Sequence, residues 1–278
     1  MVNNNALISV VMATYHGDDE QHFITAIESI LSQTYNNLEL IVCVDGRVSE
    51  DRKRVIDDFV QRDSRINVIY LEQNRGPAHA RNKGIKFAKG DYLAIMDADD
   101  ISMSHRLEYE LNELKRTKVD VIGSSYLEFT DDPKVSIIHK FPSTHQHIIK
   151  GMPYFCPMAS PTVFGKTICF KNLPYREDLR VSEDYYLWIS MVKSGVIMGN
   201  VVEPLVYYRR GSDFSNRRRG FKYVRGDLIA KFSALDLMPF YKQPFIVVFS
   251  VLSTLIVRLS PEFIFNKLRD IKHSLFSK

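Results

Sequence analysis

Four short apolar runs limit what this chain can fold into: Leu7 to Ala13, Leu38 to Val44, Ile66 to Leu71 and Tyr92 to Met96. Each is long enough for a buried strand and too short for an ordinary helix. Segments of helical period separate them. Phe23, Ile27, Ile30 and Leu31 recur at helical spacing in the first, and Ser49 can cap a second helix carrying Val55, Ile56, Phe59 and Val60. A third helix opens at Asn74-Arg75-Gly76-Pro77, with proline at a tolerated first-turn position, and closes near Lys89-Gly90. Strands and helices alternating at this pace predict right-handed crossovers and an α/β fold, a mostly parallel sheet with helices on both faces. Ligands of such sheets bind beyond the carboxyl ends of the strands.

Polar residues gather at that rim. The first strand runs out into Thr14-Tyr15, the second into Asp45-Gly46, and the fourth into Asp97-Ala98-Asp99-Asp100. Carboxylates crowded at the end of a buried strand repel one another and lose hydration, so they call for a cation or hydrogen-bond donors. A hard divalent metal is one compensator. The alternative is a solvated acidic turn that caps a helix starting near Ser102, with Leu107, Leu111 and Leu114 as its buried stripe. Further along, Glu183-Asp184 precede an amphipathic helix with Tyr186, Leu187, Ile189, Met191 and Val192, where acids are also favourable as N-terminal charges.

The 278 residues suffice for one substantial core with a smaller appendage. Cys43, Cys156 and Cys169 are widely separated and odd in number, which fits neither a disulfide framework nor a Cys-x-x-Cys metal site and favours a reducing, cytoplasmic setting. The start, Met1 to Asn5, lacks the basic region and long apolar core of a signal peptide. Arg209, Arg210, Arg217, Arg218, Arg219, Lys222 and Arg225 cluster with Asp213 as the only acid among them, which predicts an anionic partner. No nucleic-acid recognition motif accompanies these cations, and a nucleic-acid partner is not expected.

Taken together and in order, five segments resemble glycosyltransferase family 2 of the GT-A fold. They are Ile8 to Tyr15; Val44-Asp45-Gly46; Asn74-Arg75-Gly76-Pro77-Ala78-His79-Ala80-Arg81-Asn82-Lys83-Gly84-Ile85; Gly90 to Asp100; and Ser182-Glu183-Asp184-Tyr185-Tyr186-Leu187-Trp188. The resemblance implies inverting transfer of a sugar from a nucleotide donor, in most cases a UDP-sugar, to an acceptor hydroxyl. It implies that Thr14, Tyr15 and Asp45 hold the base, that Arg81 reaches the nucleotide, and that Asp97 meets the ribose. A carboxylate at Asp45 accepts from the N3–H of uracil, which cytosine lacks. Asp99 is implied as ligand of Mn2+ or Mg2+, and Asp184 as the general base, with Glu183 beside it, which leaves Asp100 to cap the following helix. Many relatives carry His-Pro-Thr where this chain has Ser160-Pro161-Thr162, and a metal-binding histidine shortly after the Tyr-Arg pair that here is Tyr208-Arg209. Either Asp213 or water then completes the metal shell, or Arg209 and Arg210 supply the positive charge.

This division assigns residues 1–100 to the nucleotide sugar, 101–220 to the acceptor side and base, and 221–278 to a basic helical tail. That tail resembles those of bacterial enzymes assembling exopolysaccharide, capsule or O-antigen repeats. The resemblance implies a saccharide acceptor, polyprenyl-diphosphate-linked, at the inner face of the membrane. The apolar tract Phe245 to Val257 is shorter than a hydrocarbon core of about 30 Å requires, so a buried or interfacial helix is predicted. Ile264, Leu268, Ile271 and Leu275 form a further stripe flanked by Lys267, Arg269, Lys272 and Lys278, suited to an anionic membrane surface or to packing on the domain or on another subunit. Two other readings are a non-catalytic binding protein on the same scaffold and a haloacid-dehalogenase-like phosphatase, which also places Asp-x-Asp after an apolar strand but favours Thr or Val where this chain has Ile101.

Overall fold

The computed structural model describes residues 6–211, 218–261, 263–265 and 267–268. Asp213, Arg217 and the stripe beyond Leu268 lie outside the described residues.

The apolar runs form β1 (Ile8–Thr14), β2 (Leu38–Asp45), β3 (Ile66–Leu71) and β4 (Tyr92–Asp97), all parallel, in the order β3-β2-β1-β4. Period-two alternation sends their side chains into two cores. Val11, Ile41, Cys43, Leu93 and Ile95 face one side, while Val10, Met12, Leu40, Val42, Ala94 and Met96 face the other. Helices α1 (Glu20–Leu31) and α2 (Glu50–Arg62) start on the side chains of Asp19 and Ser49, each accepting from a backbone N–H in the first turn. Helix α3 (Pro77–Phe87) lies hard against the sheet: a Cβ on Gly84 would meet Val11 Cγ1 at 2.6 Å and Cys43 Sγ at 2.8 Å.

Past β4 the sheet becomes mixed. β5 (Ile101–Ser102), α4 (Arg106–Thr117), β6 (Val121–Phe129), β7 (Ile137–His139), α5 (His145–Gly151), a 3-10 turn at Ser160–Thr162, β8 (Phe164–Lys166), α6 (Thr167–Asn172), α7 (Glu183–Lys193) and β9 (Met198–Arg209) follow. β8 runs antiparallel between β4 and β6, β9 is parallel to β6, and β5 pairs antiparallel with the far end of β9. The parallel expectation thus describes the first four strands. The expected helix near Ser102 gives way to extended chain, because Ile101 and Ser102 pair with Tyr207 and Val206, and α4 begins only at Arg106.

The tail folds back on the domain. Helix α8 (Phe221–Ser233) packs on α7, and a Cβ on Gly226 would sit 2.8 Å from the Val181 carbonyl oxygen. Helix α9 (Gln243–Leu259) follows directly on a 3-10 turn at Phe240–Lys242. The twenty residues Phe240–Leu259 are long and apolar enough to cross a membrane by length and composition alone, while one face of the helix is docked on the domain. Its inward stripe is Ile246, Ser250 and Thr254, with Ser250 Oγ donating to Pro153 O at 2.9 Å. Its outward face is apolar: Phe245 is 78% exposed, and Val248, Phe249, Leu252 and Ile256 are exposed one to three turns along.

Candidate active site

The Asn74-to-Ile85 motif earns its place in the fold through backbone and side-chain contacts. Asp45, buried at the end of β2, accepts from Arg75 N at 3.0 Å and Gly76 N at 2.7 Å, fixing the turn where Gly76 adopts φ +96°. Asn82 exchanges hydrogen bonds with the backbone of Tyr175, and His79, Asn82 and Arg75 all meet Glu177. Helix α3 therefore holds the 175–177 segment that leads to α7. Arg81, in the middle of α3, is buried and forks between two acids: one nitrogen donates to Asp97 at 2.6 Å and the other to Glu183 at 3.0 Å. An arbitrary arginine on a helix is usually exposed; this one ties the end of β4 to the start of α7.

The three aspartates after β4 have separate fates. Asp97 binds Arg81. Asp100 is buried and accepts from Arg209 N at 2.7 Å, while its second oxygen has no hydrogen-bond partner; it does not cap a helix. Burial first, then the charges of Asp99 and Asp97, push its carboxyl well above the usual range. Arg209 also donates from Nε to the Asp99 carbonyl at 2.9 Å and lies over the Phe129 ring, so it braces the acidic turn. Arg210 turns away, to Glu128 at 3.4 Å. At the end of β1, Thr14 Oγ1 and Tyr15 N both donate to Asp18, a half-buried acid whose pKa is raised chiefly by desolvation. Asp18 had no motif to mark it in the sequence.

At the start of α7, Ser182 takes φ +58° and its hydroxyl donates to Asp227 of α8 at 2.7 Å. Burial, reinforced by the charge of Asp184 and opposed by Arg81, raises Glu183 to about 7. Asp184 is half-buried and accepts from Tyr185 N at 2.7 Å. Its carboxyl is also raised, by burial ahead of the opposing Tyr185 N–H, Arg81 and Arg218.

A cavity of about 400 Å³ opens between these elements. It collects Arg81, Asp97, Glu183 and Asp184, with Ser160 and Arg180 on its walls. Thr14, Tyr15, Asp45, Asp99, Arg209 and Arg210 are not among its lining residues. The sequence reading missed the contribution of the tail: Arg218, Tyr223, Asp227, Lys231 and Arg258 line the same cavity. Arg218 belonged to the visible basic cluster, but nothing in the sequence tied Asp227 or Lys231 to Glu183.

No set of three or more His, Cys, Asp or Glu side chains able to hold a metal occurs among the described residues. Asp97 is taken by Arg81 and Asp100 by Arg209. A cation at this turn would therefore have to draw on phosphate oxygens and water as well as protein, the usual habit of Mg2+.

The family model for glycosyl transferase family 2 matches residues 9–166. An uncharacterized glycosyltransferase of Methanocaldococcus jannaschii is 29% identical over 277 residues, covering 96% of this chain and 93% of that protein. The Escherichia coli protein WfgD, a UDP-Glc:alpha-D-GlcNAc-diphosphoundecaprenol beta-1,3-glucosyltransferase, is 31% identical over 196 residues, 69% of this chain and 72% of its own. Among solved structures, S. aureus TarS 1–349 in complex with UDP-GlcNAc aligns with a TM-score of 0.68 at 16% identity, over 90% of this chain and 72% of that one. The share of a longer TarS chain is 43%. At this identity the likeness carries the fold.

Proposed function

The chain belongs to glycosyl transferase family 2, and from that premise we propose that it transfers a sugar, with inversion, from a UDP-sugar to a hydroxyl of a lipid-linked saccharide. The observation that carries this reading is the Arg81 fork, which brings Asp97 and the Glu183-Asp184 pair to one cavity. The donor-side residues follow from the strand ends. Asp45 has both oxygens on backbone N–H groups, and the lone pairs left over are the ones a uracil N3–H would use, with Thr14 and Tyr15 beside the same rim. Asp97 would meet the ribose. Asp99 would hold Mn2+ or Mg2+ together with the two phosphates. Such a cation, when bound, neutralises charge on the departing nucleoside diphosphate.

Asp184 is assigned as the general base. It takes the proton of the acceptor hydroxyl as that oxygen forms its bond to the anomeric carbon, and the bond from that carbon to the nucleoside diphosphate breaks on the opposite face. A carboxyl raised by burial is suited to proton abstraction near neutral pH. Glu183, held by Arg81, positions Asp184 and is not itself required to move a proton. Asp213, outside the described residues, is retained as a further candidate metal ligand.

The donor and acceptor classes draw support from the UDP-GlcNAc complex of TarS and from the diphosphoundecaprenol-linked acceptor in the name of WfgD. A peripheral seat on the inner membrane face is supported by the outward apolar face of α9, whose other face is docked on the domain. Residues 1–100 would then serve the donor and 101–220 the acceptor and base, with the tail as a third wall. Asp184→Asn is the test: UDP binding is retained and sugar transfer to a lipid-linked acceptor is lost. Transfer at a near-normal rate would remove Asp184 from the mechanism.

A further inference from the structure

We propose that the cavity wall built by α8 and α9 is a subsite for the diphosphate and the first isoprenoid units of a prenyl-diphosphate-linked acceptor, with Lys231 as its main anion ligand. The inference rests on the lipid-linked acceptor reading and gives that acceptor a place.

Lys231 is 5% exposed and lines the cavity from α8. Its ammonium donates to Thr254 Oγ1 of α9 at 2.7 Å and makes no ion pair among the described residues. The acid nearest in charge, Asp227, is already engaged, accepting from Ser182 Oγ at 2.7 Å and from Arg258 Nε at 2.8 Å. An ammonium has three donors, and a buried one with a single neutral partner is costly to keep. Burial, with the charge of Arg258 behind it and Asp227 opposing, lowers Lys231 to about 8, so it remains a cation at neutral pH. A charge held at that cost beside a cavity is compensated when an anion arrives.

The wall is not cationic alone. Val257, Phe265 and Leu268 line it next to Lys231 and Arg258. An anion carrying an apolar chain matches a surface on which Lys231 and Arg258 stand beside Val257, Phe265 and Leu268. The same helix that supplies Val257 presents Phe245, Phe249 and Leu252 outward. Asp184 lines the same cavity as Lys231 and Val257, so an acceptor held at this wall would have its sugar within the cavity that holds the base.

The probe is farnesyl diphosphate, titrated calorimetrically into the full chain with UDP and Mn2+ held saturating. Binding is expected to persist under UDP and to weaken stepwise for farnesyl monophosphate and farnesol. Lys231→Met should weaken farnesyl diphosphate binding about tenfold or more, with UDP affinity unchanged, while Lys231→Arg retains most of it. Should Lys231→Met fail to fold, Val257→Glu places a repelling charge on the same wall and is expected to lower affinity by a similar factor. Displacement of farnesyl diphosphate by UDP would assign the anion to the donor site and overturn the subsite. Equal binding by farnesol, or full affinity in the variants, would overturn it as well. Asp184→Asn separates the two readings, since it should bind farnesyl diphosphate normally; transfer surviving in that variant would sink the base assignment while leaving the subsite intact.

Discussion

Replacing Arg81 with methionine tests the junction on which the site depends. Arg81 is buried and makes charge-assisted bonds of 2.6 Å to Asp97 and 3.0 Å to Glu183. Removing one member of a buried ion cluster leaves uncompensated charge and costs about 3–5 kcal/mol, or a fall in Tm of about 6–15 °C for a chain of this size. The cost should depend on pH with a definite sign. Glu183 sits at about 7 in the folded protein against an ordinary 4.5, so the folded state keeps a proton that the unfolded state has lost, and stability falls as pH rises through that interval. Arg81 opposes this shift. Without it the carboxyl rises further, the interval extends above pH 7, and the deficit of Arg81→Met against the wild type is larger at pH 8.5 than at pH 6. Thermal denaturation of both proteins at the two pH values measures it. A Tm within about 2 °C of wild type, or a deficit that does not change with pH, would refute the reasoning. Arg81→Lys keeps the charge but cannot fork between two acids, and should recover only part of the loss.

Three further outcomes are expected. Asp45→Ala strips two backbone N–H groups of their acceptor and should destabilise the protein by about 2–5 kcal/mol in urea denaturation, with UDP binding weakened; Asp45→Asn, which keeps an acceptor, should lose less. Gly226→Ala forces a methyl to within 2.8 Å of the Val181 carbonyl oxygen, so the α8 contact must shift, and kcat should fall more than the affinity for UDP. In the wild type, Mn2+ should strengthen UDP binding, and chelation should abolish that gain; in Asp99→Asn the difference with and without Mn2+ should shrink, and an unchanged difference would remove Asp99 as the metal ligand.

The first half of the fold was legible because strand and helix periods persist there over whole elements. Val10 and Val11 already point to opposite cores in the sequence pattern, and Pro77 marks the start of α3. The second half was hidden by short elements. β5 has two residues and β8 three, too few to show a period, and their partners are distant in sequence. Asp100 therefore read as a cap for the next helix, when its partner is the backbone of Arg209, reached only once β9 returns. The apolar content of α9 was plain from its composition, but which face it buries was not. Ser250 and Thr254 turn inward because Pro153 O and Lys231 wait for them, and that information resides in other elements. Among site residues, the acids and Arg81 were visible, whereas Lys231 and Asp227 acquire a role only through the packing of α8 on α7.

Arg81 takes one acid from β4 and the other from α7, and α3 is pinned to the sheet at Gly84, one turn further on. The site is consequently not modular. Chimeras that join the front half of one family member to the back half of another would pair this arginine with an acid shaped for a different neighbour, at a height above the sheet that α3 cannot adjust. Exchanges meant to alter the donor or the acceptor should be cut so that residues 81, 97 and 183 travel together.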